Sequence, residues 1–467
     1  MYFNHSTEVQ EMQVGGSVVS TEVVDFLTGE IHDNPCKVNE NTCDINAYDV
    51  KHLPPLSSDE RKQLEISKQL KILRFALQNQ SVDILSHCNV GKLYNDKNKE
   101  FSPRLFNCLR KPIPQSSTTL STSPANLRNL FYTGLQVCGS VWICPVCMSK
   151  ITERRRRQLS HLVNVAKEQG YSPMLLTLTF RHNKGQSLSF LWNKLTGEKS
   201  MYSAFSREFT VKRLFKEHGI IKPKVRTTEV LYNDVSGWHI HLHIMLMTNK
   251  QGLSKIRSLE YALRQKWCAV LSRYGLSGIP KYALNLKVGN ELISNYIAKY
   301  GTREHLKQIV EDNPKWTIAH EVMKATSKYK RGIVGKDGKV HKTGLPILNL
   351  LDLASTNEEY KRAYIEYAQA SYGRRSVAGL PALARFLDVP KEDYEKKDET
   401  IAKEFKQDKI VMALLTGNDL RRLVKLGKRG HVLAVYASGG VMSLKLFLDS
   451  LGCDDVTYPV LMNIEED

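Results

Sequence analysis

Three histidines alternate with apolar residues in Gly237-Trp238-His239-Ile240-His241-Leu242-His243-Ile244-Met245-Leu246. Alternate side chains of an extended strand share a face, so His239, His241 and His243 line one side at intervals of roughly 7 Å. Ile240, Leu242 and Ile244 point the other way, toward a core. Imidazoles in a row pack poorly and suit a divalent metal ion; the plainer alternative is a polar strand face turned to water. Arg226 to Tyr232 reads as the partner strand, and Asn233-Asp234-Val235-Ser236-Gly237 as the turn between them. If that turn closes symmetrically, Glu229 lies opposite His241 and adds a carboxylate to a Mg²⁺ or Mn²⁺ site with open positions. A slip of one residue would turn Glu229 to the far face.

A second group is Asn295-Tyr296-Ile297-Ala298-Lys299-Tyr300, which sets two phenols at i and i+4 of an expected helix, roughly 6 Å apart on one face. A tyrosine can attack a phosphodiester and keep the phosphate as an ester. Its phenol is a weak nucleophile at neutral pH, and a metal ion on the phosphate, with Lys299 nearby, would offset this. Taken alone, such a pair is more often a packing feature.

Cys138, Cys144 and Cys147, with Pro145 inside the last pair, have thiolate spacing suited to structural zinc. A closed site needs a fourth ligand. Cys108 is the candidate, with His87 and Cys88 as alternatives.

These groups need elements to hold them. The 467 residues suffice for two or three domains, and 67 Lys+Arg against 48 Asp+Glu give a net charge of +19. That excess favours a polyanionic partner such as nucleic acid, because Lys and Arg displace counterions from phosphates. No run of about 18 apolar residues suggests a membrane span, and the first residues resemble no secretory signal. A cytoplasmic protein is expected, its cysteines serving as metal ligands or free thiols.

Residues 1–55 are polar and irregular, expected to be poorly ordered in part. Residues 56–126 hold a helix opened by the capping box Ser57-Ser58-Asp59-Glu60, then the Ser/Thr-rich stretch from Gln115 to Asn126, the clearest linker. Residues 127–160 carry the cysteines and a basic helix through Arg154-Arg155-Arg156-Arg157, a candidate DNA contact or a solvated face. Residues 161–305 read as the catalytic domain, opening on an apolar strand from Pro173 to Phe180. Helices are expected within 186–222 and 253–274 and from Asn290 to Tyr300, with a short strand from Tyr282 to Val288. Residues 306–467 read as a mainly helical region in which Gly373-Arg374-Arg375 and Arg421-Arg422 suggest further DNA contact or a cap. The class is α+β with a central antiparallel sheet and flanking helices.

Three blocks occur in the order found in plasmid rolling-circle replication initiators (Rep) of the His-hydrophobic-His, or HUH, endonuclease superfamily. Leu176-Thr177-Leu178-Thr179-Phe180 resembles their apolar-Thr strand, His241 to Leu246 their metal-binding strand, and Tyr296 to Tyr300 their nucleophile helix in its two-tyrosine form. Some plasmid relatives carry Glu where this chain has Tyr296. The resemblance covers about residues 130–305. It implies a sheet of about five strands and a single-strand endonuclease and strand transferase. His241 and His243 would hold the metal, with Glu229 or His239 as third ligand, and Tyr296 and Tyr300 would alternate as nucleophiles. The enzyme would join itself to the 5′ end and leave a 3′ hydroxyl primer. The implied partners are single-stranded or hairpin origin DNA and the host helicase and DNA polymerase. Two-tyrosine transposases share this order; a non-catalytic zinc-containing DNA-binding regulator would leave the histidines and tyrosines idle.

Overall fold

The alternating histidine segment forms the middle of an antiparallel sheet in the computed structural model, which describes residues 22–25, 30–33, 50, 53–88, 93–94, 99–249, 256–288, 344–404 and 408–462. Within the stretch expected to be irregular, Glu22–Asp25 and Glu30–Asp33 pair as a short hairpin. Ser57 caps α1 (Ser58–Ser86): its hydroxyl accepts the Glu60 N–H, and the Glu60 carboxylate accepts the Ser57 N–H. β1 (Thr118–Ser123) and β2 (Asn126–Thr133) follow. α2 (Pro145–Glu168) begins with proline, where a missing N–H costs nothing.

Next come β3 (Ser172–Leu178), α3 (Leu188–Thr196), α4 (Met201–Arg207), α5 (Phe209–Glu217), β4 (Val225–Asn233), β5 (Gly237–Thr248), α6 (Ile256–Arg273) and β6 (Leu284–Val288). The last stretch contains β7 (Leu345–Pro346), α7 (Ile347–Leu353), α8 (Glu358–Ser371), β8 (Val377–Ala378), α9 (Leu380–Phe386), α10 (Glu392–Glu395) and α11 (Asp398–Lys403). β9 (Ile410–Leu415), α12 (Gly417–Lys425), α13 (Arg429–Ser450) and a short helix at Pro459–Met462 follow.

The large sheet runs β6-β3-β5-β4-β7, with β8 also on β4, so among the described residues it has six strands against about five expected. The additional strands β7 and β8 come from the region that sequence alone reads as mainly helical. β5 is central, and its pleat divides the molecule. Trp238, Ile240, Leu242, Ile244 and Leu246 are buried on one face, in a core that includes Leu259, Leu263 and Trp267 of α6. On the other face Met245 and Met247 pack with Leu159, Leu162 and Val163 of α2 and with Leu380 and Leu383 of α9. That apolar packing stops short of His243, His241 and His239; His243 is still buried, and His241 and His239 beyond it are half-buried.

A second sheet, β9-β1-β2, takes its middle strand from the stretch read as a linker. All six residues of β1 are buried. The Thr side chains favour an extended backbone, and their hydroxyls are satisfied inside: Thr119 Oγ1 lies 2.5 Å from Thr133 Oγ1 and 2.9 Å from Ser121 Oγ, and Thr122 donates to the Asn126 carbonyl at 2.9 Å. α13 packs against α1 and β2. It is long and apolar enough to cross a membrane, yet Val432, Tyr436, Val441, Leu444 and Leu448 are buried in the protein core. Arg429 at its start is wholly buried, donates to the Leu109 carbonyl at 2.8 Å and lies 5.1 Å from the Phe75 ring centroid.

The arginine run of α2 is largely engaged within the protein. Arg155 and Arg156 are buried; Arg155 binds Asp398 at 2.9 Å, Arg156 binds Glu153 at 2.8 Å, and Arg154 binds Asp393 at 2.7 Å. These acids lie on α2 itself and on α10 and α11, so the run ties those short helices to α2. Arg374 is similarly occupied: its guanidinium lies 4.9 Å from the Trp192 ring centroid and donates to Asn193 at 2.9 Å. Arg422 bonds the Leu451 carbonyl.

Removing one partner of a buried ion pair leaves a desolvated charge behind. Arg155→Ala is expected to cost about 3 kcal/mol in urea unfolding while leaving the salt dependence of DNA binding at its parent slope. A reduced slope with unchanged stability would mean that Arg155 faces phosphate instead.

Candidate functional site

The hairpin joining β4 to β5 sets the register. Asn233 Oδ1 accepts the N–H groups of Val235 (2.9 Å) and Ser236 (3.2 Å), an Asx turn. Gly237 follows with φ +74°, and a Cβ there would stand 2.9 Å from Lys184 Cα, so the position requires glycine. With Asn233 paired to Gly237, Glu229 is paired to His241 and Thr227 to His243, the register that a symmetric turn predicts.

Glu229 and His243 are almost fully buried, at 4% and 5% exposure. Glu229 Oε2 lies 2.9 Å from His243 Nε2 and 3.6 Å from His241 Nδ1. One oxygen and two nitrogens thus converge, with all three ligand atoms within 4.8 Å of one another. Neighbouring ligands of an octahedral ion held at about 2.1 Å are about 3.0 Å apart, so a small divalent ion fits among them with little movement. From β3, across the strand, Thr177 Oγ1 lies 3.2 Å from His243 Nδ1.

His239 stands outside this compact group. Its ring contacts His241 on one side and His182 on the other. His182 was not singled out in the sequence, although it follows Phe180 by two residues and so had a positional signal. Its Nδ1 lies 3.0 Å from the Ser236 carbonyl oxygen. Burial, assisted by His241 and opposed by that carbonyl, holds His182 below the usual imidazole range. Tyr296, Lys299 and Tyr300 lie outside the described residues.

The cysteines form a second group. Cys108, Cys138, Cys144 and Cys147 are all buried, with ligand atoms within 4.8 Å of one another. Three of the sulfur separations are 3.6, 3.6 and 3.8 Å. A tetrahedron with metal–sulfur bonds of about 2.3 Å has edges of about 3.8 Å, so four thiolates around one ion fit. Donors already face the sulfurs: Gln78 Nε2 approaches Cys144 Sγ at 3.3 Å, the Cys138 N–H approaches Cys108 Sγ at 3.4 Å, and the Ser140 N–H approaches Cys138 Sγ at 3.4 Å. Burial would raise the Cys144 thiol, but its contacts with the other three sulfurs and with the Cys147 backbone hold it well below the ordinary thiol range. Of the alternatives for the fourth ligand, His87 contacts Asp83 and Cys88 bonds the Ile84 carbonyl, both away from the cluster.

The fold and site together define an α+β chain whose central antiparallel sheet carries a carboxylate–imidazole group able to hold a metal ion, beside a four-cysteine group. Residues 131–274 match the family described as "Replication protein", a stretch containing Glu229, His241, His243 and three of the four cysteines. The chain is 23% identical over 345 residues to "Protein rep" of Streptomyces lividans, covering 64% of this chain and 72% of that protein. It is 30% identical over 134 residues to "Neomycin resistance protein" of Streptomyces cyanogenus, covering 24% of this chain and 31% of that one. No solved structure matches. The family match and the Streptomyces lividans relative support a replication protein.

Cys144→Ala is expected to lower the metal content of the purified chain by one equivalent and to reduce its melting temperature, since metal-binding energy of this kind is also folding energy. Equal metal content in variant and parent would exclude the four-thiolate site.

Proposed function

We propose that the chain initiates rolling-circle replication of a plasmid by nicking one strand of origin DNA and joining itself to it. The reading is carried by one observation: Glu229, His241 and His243 converge on one end of the central strand inside the stretch that matches a replication-protein family. A Mg²⁺ or Mn²⁺ ion bound there would polarise the scissile phosphate and stabilise the charge developing on it. The hard carboxylate and the open coordination positions suit such an ion, whereas the soft thiolate set suits structural Zn²⁺.

The nucleophile in this reading is Tyr296 or Tyr300, with Lys299 favouring the ionised phenol. The phenolic oxygen loses its proton and bonds to phosphorus as the P–O3′ bond breaks. The 3′ oxygen takes up a proton and becomes the primer end, while the 5′ phosphate stays on tyrosine. At termination the second tyrosine cleaves the regenerated origin in the same way, and the 3′ hydroxyl it releases attacks the first phosphotyrosine, rejoining the strand and freeing the first phenol. Chain reach supports this. Val288 ends β6 level with Leu246, through Met174, and Tyr296 follows Val288 by eight residues. His241 lies about 17 Å back along the strand direction and about 10 Å across two strand spacings; two extended residues followed by six helical ones span about 16 Å, and the tyrosine and histidine side chains close the rest. Origin DNA is the substrate, and the host helicase and polymerase would extend the 3′ end.

Incubation with a labelled single-stranded origin oligonucleotide and Mn²⁺ should give a covalent adduct on a denaturing gel. Tyr296→Phe/Tyr300→Phe should abolish it, and His241→Ala should reduce it by at least about 100-fold, the scale of losing preorganised charge stabilisation. An adduct that survives the double tyrosine variant would refute the assignment.

A further inference from the structure

His182 and His239 have no part in the chemistry above, yet both are joined to it by an unbroken line of ring contacts. The line starts at the Ser236 carbonyl, 3.0 Å from His182 Nδ1. It continues from His182 Nε2 to His239 Nδ1 and from His239 Nε2 to His241 Nε2. It ends at His241 Nδ1, which faces Glu229 Oε2 at 3.6 Å.

A carbonyl oxygen can only accept, so His182 carries a proton on Nδ1, and in the neutral imidazole its Nε2 accepts. His239 then donates through Nδ1 and accepts through Nε2. His241 consequently carries its proton on Nε2 and presents a bare Nδ1 lone pair toward Glu229. Each nitrogen along the line has one consistent role, and the line delivers a metal-ready tautomer at its end. His243 has a shorter equivalent, with Nδ1 3.2 Å from the Thr177 hydroxyl and Nε2 2.9 Å from Glu229.

We infer that His182 and His239 are positioning residues, a two-imidazole relay anchored on the Ser236 carbonyl that fixes the tautomer and ring orientation of His241 for a divalent ion. The inference rests on the reading of Glu229, His241 and His243 as the metal site and deepens it. It gives the first histidine of the alternating row a different task from the other two: His239 faces the Nε2 edge of His241, the edge turned away from the Glu229 oxygen. It also explains why the Asx turn matters to chemistry, because the turn holds the Ser236 carbonyl that terminates the relay.

Partners of metal-bound imidazoles contribute about 10–100-fold to metal affinity. The test is a Mn²⁺ titration of the full chain, free Mn²⁺ being read by electron paramagnetic resonance, with thermal melting of each variant as a folding control. His239→Phe should weaken Mn²⁺ binding by about 10–100-fold without lowering the melting temperature to match. His239→Gln, whose amide both donates and accepts, should recover most of the loss, a rescue that simple space-filling would not give. His182→Phe should weaken binding in the same direction. Combined with His239→Phe it should add nothing, because the outer imidazole acts only through the inner one. Parent affinity in His239→Phe would overturn the relay, as would a loss as complete as that of His241→Ala, which would make His239 a ligand. If His241→Ala itself bound Mn²⁺ like the parent, the metal-site reading would fail and the relay with it.

Discussion

The pairing register of β4 with β5 is the constraint on which the rest depends. A strand has only two faces, and a shift of one residue exchanges them. In the observed register Glu229 stands across from His241, while Val230 and Ile240 fall together on the apolar side. A slip would bury imidazoles in the core and expose Ile240, Leu242 and Ile244, so hydrophobic burial and the metal-site geometry demand the same alignment. Local chemistry enforces it from the turn: Asn233 holds the two N–H groups that follow, and Gly237 adopts a conformation closed to other residues against the Lys184 backbone.

The same face of the sheet is used twice. At one end Met245 and Met247 lie under α2 and α9; at the other the cover stops and the polar groups begin. The arginines of α2 secure the cover, each paired with an acid of α2, α10 or α11, with Arg156 and Arg157 sharing Glu153. The excess of positive charge that suggests a polyanionic partner is therefore not carried by the densest basic run in the chain.

What sequence alone reveals here follows from periodicity and close spacing. The alternating histidines, the capping box of α1 and the partnership of Glu229 with His241 are local or hairpin-range features, and physical rules for strands and caps reach them. The stretch from Gln115 to Asn126 misleads because Ser and Thr read as solvent-loving, whereas here their hydroxyls pair with one another and with backbone inside a sheet completed by β9, nearly three hundred residues away. Arg154 and Arg155 mislead for the same reason, since their acidic partners Asp393 and Asp398 are supplied by distant segments, while Arg156 and Arg157 pair with Glu153 on the same helix. His182 carries too little pattern by itself: only the fold brings its ring to His239. Cys108 could be ranked above His87 and Cys88 but not chosen with force, because spacing says nothing about ligands 30 residues apart.

The interlock of the two ends of the chain has a consequence for biogenesis. The edge of the smaller sheet is completed by β9, and α1 finds its main packing partner in α13. During translation the hairpin of β1 and β2 and the long first helix must therefore wait, with apolar surface unsatisfied, until Ile410–Leu415 and Arg429–Ser450 have left the ribosome. The large sheet needs little of that late material and can assemble earlier. A nascent chain would thus acquire its histidine centre before α1, β1 and β2 are secured, leaving those elements exposed to chaperones and proteases for longer.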